Sequence, residues 1–265
     1  MTKTKGAASM RKVAFITGAT RGIGKACALR LADEGWDIVV AGRSVREHEK
    51  LPGTIHSVAE EVAQRGVEAL PVECNLVRLE TVDAAVATTL ETYGRCDAVI
   101  NNAGALWWRT MEETPMKRFD LVMNVNVRGS FAVTAGFLPT MREQDSGHVI
   151  VMSPPIDPSI VPGRIAYMIS KYGMTMIALG LGEELEGTGI SATALWPKTL
   201  IESYATINFA MGDRTVWRTP EIITDALVEI LARPEETRGK ALIDEDFLRS
   251  IGYTDFDKYK CVPEG

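Results

Sequence analysis

Short apolar runs recur along the chain at 13–16, 38–41, 69–72, 98–100, 148–152, 191–195 and 241–243. The stretches between them keep a helical rhythm instead. After the first run, for example, Ile23, Cys27 and Leu31 fall on one helix face. Apolar runs of strand length alternating with helical stretches predict an α/β fold, a doubly wound parallel sheet with helices on both faces. The longest irregular stretch, 197–220, follows the penultimate run. It therefore leaves the carboxyl end of a strand, where open parallel sheets bind ligands, and is positioned to cover a site. The helical stretch 165–185 is apolar nearly all round, with Met168, Met174, Met176, Ile177, Leu179 and Leu181, which predicts burial on more than one side.

Composition narrows the class. At 265 residues the chain suits one domain over 11–265, preceded by a polar arm over 1–10 expected to be disordered. Lysine and arginine total 29 against 35 acids, a net charge of −6 that offers no basic field to nucleic acid or an anionic membrane. Cys27, Cys74, Cys96 and Cys261 are scattered with no Cys-x-x-Cys, so neither a disulfide framework nor a metal site is expected. A cytoplasmic or other reducing compartment follows, with no secretory signal and no membrane insertion expected. His48, His56 and His148 lie far from the motifs below and are taken as structural.

Two motifs carry chemistry. Gly18, Gly22 and Gly24 sit in a turn, with Thr20, Arg21 and Ile23 between them, after the first run and before a helical stretch. Strand, glycine turn and helix start form a site for a dinucleotide pyrophosphate, because glycines admit close backbone approach and the helix N-terminus presents free N–H groups to an anion. Far downstream, Tyr167 and Lys171 stand four apart, on one helix face. A lysine charge near the phenol lowers its pKa from the usual ~10 and makes Tyr167 a candidate general acid/base.

The second run leads into Gly42 and Arg43. An acid at that strand end suits the ribose hydroxyls of NAD, an arginine the extra phosphate of NADP. Arg43 and Arg21 together therefore favour NADP(H), unless both are solvated surface residues. Asn75, followed by Leu76 after the third run, either contacts adenine or makes a turn. Pro197, Thr199 and Leu200 are candidates for the nicotinamide carboxamide. Trp107, Trp108, Tyr204, Phe209, Met211 and Trp217 are either apolar pocket walls or core.

The glycine turn, Asn101-Asn102-Ala103-Gly104, Asn126 and the Tyr167/Lys171 pair, in this order, resemble the short-chain dehydrogenase/reductase family over roughly the whole chain from Arg11 to Lys260. The resemblance implies a single Rossmann-type sheet, with Asn102, Ala103 and Gly104 along the adenosine ribose and Lys171 on the nicotinamide ribose. It implies that Asn126, rather than the nearby Asn124, interrupts its helix and supports a proton relay. It also implies pairing through the 165–185 helix, hence a homodimer or homotetramer. Further stretches resemble a branch of the family in which a sterol-carrier domain follows the reductase domain. One departure stands out: counting back thirteen residues from Tyr167, where the family places a hydroxyl, gives Pro154, which has no donor. Either Ser153 takes that role or the donor is missing. The resulting expectation is an NADP(H)-dependent oxidoreductase acting on a small apolar carbonyl or the matching alcohol. The alternative is a catalytically weak NADP(H)-binding sensor or assembly partner.

Overall fold

The computed structural model describes residues 11–48, 52–208 and 211–262. The arm expected over 1–10 and Phe209 lie outside them. Each apolar run is a strand: Val13–Thr17 (β1), Asp37–Gly42 (β2), Ala69–Glu73 (β3), Ala98–Asn101 (β4), Gly147–Met152 (β5), Ile190–Trp196 (β6) and Lys240–Ile243 (β7). They form one parallel sheet in the order β3-β2-β1-β4-β5-β6-β7. The order reverses between β1 and β4. A crevice therefore opens at the carboxyl ends of these two neighbours, where chain connections leave in opposite directions.

The connecting helices are Gly22–Asp33 (α1), Ile55–Ala63 (α2), Leu79–Tyr93 (α3), Met116–Val122 (α4), Ser130–Gln144 (α5), Ile165–Glu184 (α6), Tyr204–Asn208 (α7), Glu221–Ala232 (α8), Pro234–Thr237 (α9) and Asp244–Ser250 (α10). Strand side chains alternate between two cores, as the pleat requires. Ala14 and Ile16 of β1 join Cys27, Leu31, Val58 and Ile223 of α1, α2 and α8. Val13 and Phe15 join Val82, Phe137 and Met174 of α3, α5 and α6 on the other face. The Phe15 and Phe137 rings meet at 4.9 Å.

Between α4 and α5 the chain stays helical but passes through a π-helical stretch, Met123–Gly129. The run Met116–Gln144 is long and apolar enough to cross a membrane by length and composition. Here it serves the core instead, burying Val122, Asn126, Val133, Phe137 and Met141.

The stretch 197–220 is less irregular than its sequence suggests. It holds α7 and a 3-10 turn, Arg214–Val216. It is stitched down by Glu202 N–H to Arg218 O (2.8 Å), Arg218 N–H to Leu200 O (2.9 Å) and Thr219 N–H to Tyr259 O (2.8 Å). Trp217 is buried and donates its indole N–H to Met211 O at 2.9 Å, which makes it a structural anchor of this segment rather than a pocket wall.

Candidate active site

The turn between β1 and α1 needs its glycines. Gly18 (φ +65°) and Gly22 (φ +54°) are left-handed, a region open to glycine at little cost. A Cβ on Gly18 would come 2.9 Å from Ala103 Cα, and one on Gly24 would come 2.4 Å from both Asn102 Nδ2 and Gly18 O. The turn is braced from β4. Thr17 Oγ1 accepts the N–H groups of Asn102 and Ala103, each at 3.0 Å, while Asn102 Nδ2 donates to Thr17 O (3.0 Å) and Gly18 O (3.3 Å).

The result is a cleft of about 540 Å³ at the switch between β1 and β4. Gly18, Thr20, Arg21, Gly22, Ile23 and Gly24 form one wall, and Arg43, Asn75, Leu76, Asn102, Ala103 and Gly104 come in from the ends of β2, β3 and β4. Sequence reasoning missed Ser44, Ala105, Leu106, Val125, Ser203 and Asn208, which also line it and carry no motif. Tyr204, expected against the substrate, lines this cleft as well.

The two arginines differ. Arg21 is committed to the 44–53 loop, donating to Ser44 Oγ (2.9 Å) and to the carbonyls of Pro52 and Gly53 (3.3 Å each), and burial together with the neighbouring Arg43 charge lowers its pKa. Arg43 is exposed at the end of β2 with no hydrogen-bond partner among the described residues. Asn75 Oδ1 accepts from Val77 N–H at 3.2 Å, so the turn role is present, with the side-chain amide at the cleft. After β6, Thr199 Oγ1 is buried with no hydrogen-bond partner among the described residues. Pro197, Thr199 and Leu200 do not line the cleft itself, but follow β6.

Tyr167 and Lys171 are buried on α6. Lys171 Nζ donates to Met152 O (2.7 Å) at the end of β5 and stands 5.2 Å from the Trp196 ring centroid and 5.8 Å from that of Tyr167. Gly104 ties this pair to the cleft, since a Cβ there would lie 3.6 Å from Lys171 Nζ and 3.5 Å from Asn126 Oδ1. Asn126, in the π-helical stretch, accepts from Ala105 N–H (2.7 Å) and donates to Ala105 O (3.0 Å) and Ser170 Oγ (2.8 Å). An α-to-π change adds a residue to one turn, and here it presents a buried amide toward α6.

The electrostatics correct one expectation. Burial pushes the Tyr167 phenol above its ordinary value, opposed only by the charge of Arg164, and pushes Lys171 down to about 7. Desolvation disfavours both charged forms, which outweighs the expected help from lysine to phenolate.

Ser153 is fully buried and accepts a hydrogen bond from Thr175 Oγ1 at 3.0 Å, and Thr175 also donates to Pro154 O at 2.6 Å. Thr175 lies two helical turns beyond Tyr167, about 12 Å along the axis at 1.5 Å per residue. Ser153 thus braces β5 against α6, next to Met152, whose carbonyl accepts from Lys171 Nζ at 2.7 Å.

Above Tyr167 stands Trp108, ring centroids 6.3 Å apart and edge-on. Arg164 stacks over Trp108 at 4.6 Å, and Arg118 over Trp107 at 4.9 Å. His148 is buried against Thr193 Oγ1 (2.9 Å) between β5 and β6, far from this group in the sheet.

Comparison with known proteins agrees with this geometry. Residues 12–205 match the family model described as short chain dehydrogenase. The chain is 40% identical over 252 residues to hydroxysteroid dehydrogenase-like protein 2 of Xenopus tropicalis, covering 94% of this chain and 60% of that protein. The human protein of that name is 39% identical at the same coverage. The chain spans about 60% of the length of these relatives. Among solved structures, a short chain dehydrogenase of Mycobacterium thermoresistibile superposes with a TM-score of 0.89 at 40% identity, over 97% of this chain and 93% of that one.

Proposed function

The chain belongs to the short chain dehydrogenase family, whose members are NAD(P)-dependent oxidoreductases, and on that premise we propose that it interconverts a carbonyl and the matching alcohol with NADP(H). The observation that carries this reading is that Lys171 Nζ and Asn126 Oδ1 come together at Gly104, which lines the glycine-walled cleft, with the Tyr167 ring 5.8 Å from the same Lys171 Nζ.

The residues present fit a dinucleotide. Gly18, Gly22 and Gly24 leave room for backbone approach, and the start of α1 offers N–H groups to the pyrophosphate. Exposed Arg43, with no competing partner among the described residues, suits a 2′-phosphate better than a ribose hydroxyl. The unmatched Thr199 Oγ1 supports its place beside the carboxamide, with Pro197 and Leu200. When bound, the cofactor supplies or takes the hydride at the substrate carbon. Tyr167 holds the proton: burial keeps its phenol protonated, the form needed to donate to a carbonyl oxygen in the reducing direction. Lys171 is at the ribose and Asn126 orders the relay behind it. Ser153 supports this arrangement through Thr175 and does not itself touch the substrate.

The test is NADPH oxidation against a panel of small aldehydes and ketones. Tyr167→Phe lowers kcat by ~10²–10⁴, the usual share of a positioned acid. Ser153→Ala leaves turnover nearly unchanged, and Pro154→Ser, which restores a hydroxyl at the family position, raises it. Full turnover in Tyr167→Phe sinks the catalytic role and promotes the alternative of an NADP(H)-binding sensor or assembly partner.

Phe131 of α5 and Ile169 and Met176 of α6 are large apolar side chains left exposed. We assign that face to pairing with a second copy of the chain, as a homodimer or homotetramer. Light scattering at micromolar concentration gives a mass of two or four chains, and Met176→Glu shifts it toward one.

A further inference from the structure

An arginine with nothing to bind sits beside the proposed acid. Arg164 immediately precedes α6, three residues before Tyr167, so the two share a helix face. Its guanidinium carbon lies 4.6 Å from the Trp108 ring centroid, and Trp108 meets Tyr167 edge-on at 6.3 Å. Stacking uses the face of a guanidinium and leaves its in-plane N–H donors free. Arg164 has no carboxylate or other hydrogen-bond acceptor among the described residues. The carboxylates of the same wall do not reach it: Glu113 accepts from Thr110, and Asp157 from Ser159 N–H.

A second donor is unmet in the same place. Trp108 Nε1 is buried with no acceptor. A buried N–H without a partner is costly, so its persistence points to an acceptor supplied from outside the chain. Trp107 by contrast has its donor matched by Thr114 Oγ1 at 3.2 Å. The setting is cationic in an otherwise acidic protein: Arg109 and Arg118 stack on Trp107 at 6.0 and 4.9 Å, against a net charge of −6.

We propose that Arg164 and the Trp108 indole N–H form an anion subsite that takes a carboxylate of the substrate, so that the enzyme acts on oxo acids and the corresponding hydroxy acids. This deepens the oxidoreductase reading and rests on it. A guanidinium fork matches a carboxylate with two parallel hydrogen bonds, and a small shift of the indole adds a third. Trp108 touches both Arg164 (4.6 Å) and Tyr167 (6.3 Å between ring centroids), so one substrate lying along the indole reaches both. In reduction the C=O π bond breaks. Its carbon gains the hydride from NADPH, its oxygen gains the Tyr167 proton, and the carboxylate is unchanged; the products are the hydroxy acid and NADP⁺, with solvent returning a proton to the tyrosine.

The experiment compares pyruvate, acetoacetate and levulinate with their methyl esters and with hydroxyacetone phosphate, in the full chain with NADPH. At least one acid is preferred over its ester by roughly 10–100-fold in kcat/KM, as charge-assisted hydrogen bonds allow. That preference collapses in Arg164→Ala and is only partly kept by Arg164→Lys, which retains charge without the fork. Trp108→Phe reduces it less. In parallel, titration calorimetry of levulinate into the NADP⁺-loaded protein shows binding that Arg164→Ala abolishes. Turnover of neutral esters with no acid preference, or a response to hydroxyacetone phosphate alone, overturns the subsite and leaves the oxidoreductase reading standing. No turnover of any carbonyl, with Arg164-dependent levulinate binding intact, removes the oxidoreductase reading and keeps the subsite.

Discussion

The glycine turn and the tryptophan cluster beside Tyr167 are built on opposite plans. At the glycine turn the frame is braced within the chain while the N–H groups at the start of α1 stay open: Thr17 Oγ1 holds two backbone N–H groups of the 102–103 segment, and Asn102 Nδ2 returns two bonds to the turn. Recognition there depends on backbone shape. At the tryptophan cluster, side chains stand with unmet donors, Trp108 Nε1 buried and Arg164 stacked but unpaired. Recognition there depends on what arrives. The contrast teaches where substitutions matter: a single methyl group ruins the first region, while the second yields only to changes of charge or hydrogen bonding.

The most severe test of that comparison is Gly24→Ala. A Cβ would lie 2.4 Å from Asn102 Nδ2 and from Gly18 O, in a turn that cannot relax without losing its brace. Overpacking of ~1–3 kcal/mol predicts that the Kd for NADPH rises roughly 10–100-fold. The control is Gly180→Ala on α6, where nothing lies within 4 Å of the added carbon. It leaves NADPH binding untouched, and because Gly180 stands one turn from Met176 on the face assigned to pairing, its mass by light scattering is compared with that of the unmodified protein. If both variants bind NADPH alike, the turn is not shape-limited.

Arg43→Ala is expected to act more mildly and selectively. It weakens NADPH roughly tenfold, a value reduced by solvent screening, and leaves NADH unchanged. Equal losses for the two cofactors, measured by fluorescence titration, remove the assignment to NADP(H). This variant is cleaner than placing an acid at Gly42, where a Cβ already meets Thr20 Cγ2 at 3.1 Å and Ile55 Cγ2 at 3.4 Å.

The smallest effect is a pH slope. Lys171, pushed down to about 7 by burial, is neutral above that pH in the free protein. An anionic cofactor favours its charged form, so binding takes up a proton once the pH exceeds about 7. Affinity for NADPH therefore weakens as pH rises through neutrality, by at most about tenfold per unit, and Lys171→Met flattens the slope. A pH-independent Kd in the unmodified protein excludes Lys171 from cofactor binding.

Much of the frame was legible in the residues alone. All the strands expected from apolar runs are present, with ends shifted by a residue or so, because a strand in a sheet covered on both faces needs a short continuous apolar run. The glycine turn was legible for a similar reason: left-handed φ at Gly18 and Gly22 is a local demand, met by a local residue type. Asn126 and the Tyr167/Lys171 pair were also visible, being motifs of fixed spacing. What the sequence did not disclose depends on distant partners. Ser153 bonds Thr175, Arg21 is spent on Ser44 and Gly53, and Ser203, Tyr204 and Asn208 reach the glycine cleft from the segment after β6. Tyr167 and Lys171 titrate against expectation because desolvation reflects everything packed around a group, not its neighbours in sequence. Local residue types determined the strands and the turn; only tertiary packing decided which donors were left unmatched, since an unmatched donor is defined by every other atom that fails to reach it.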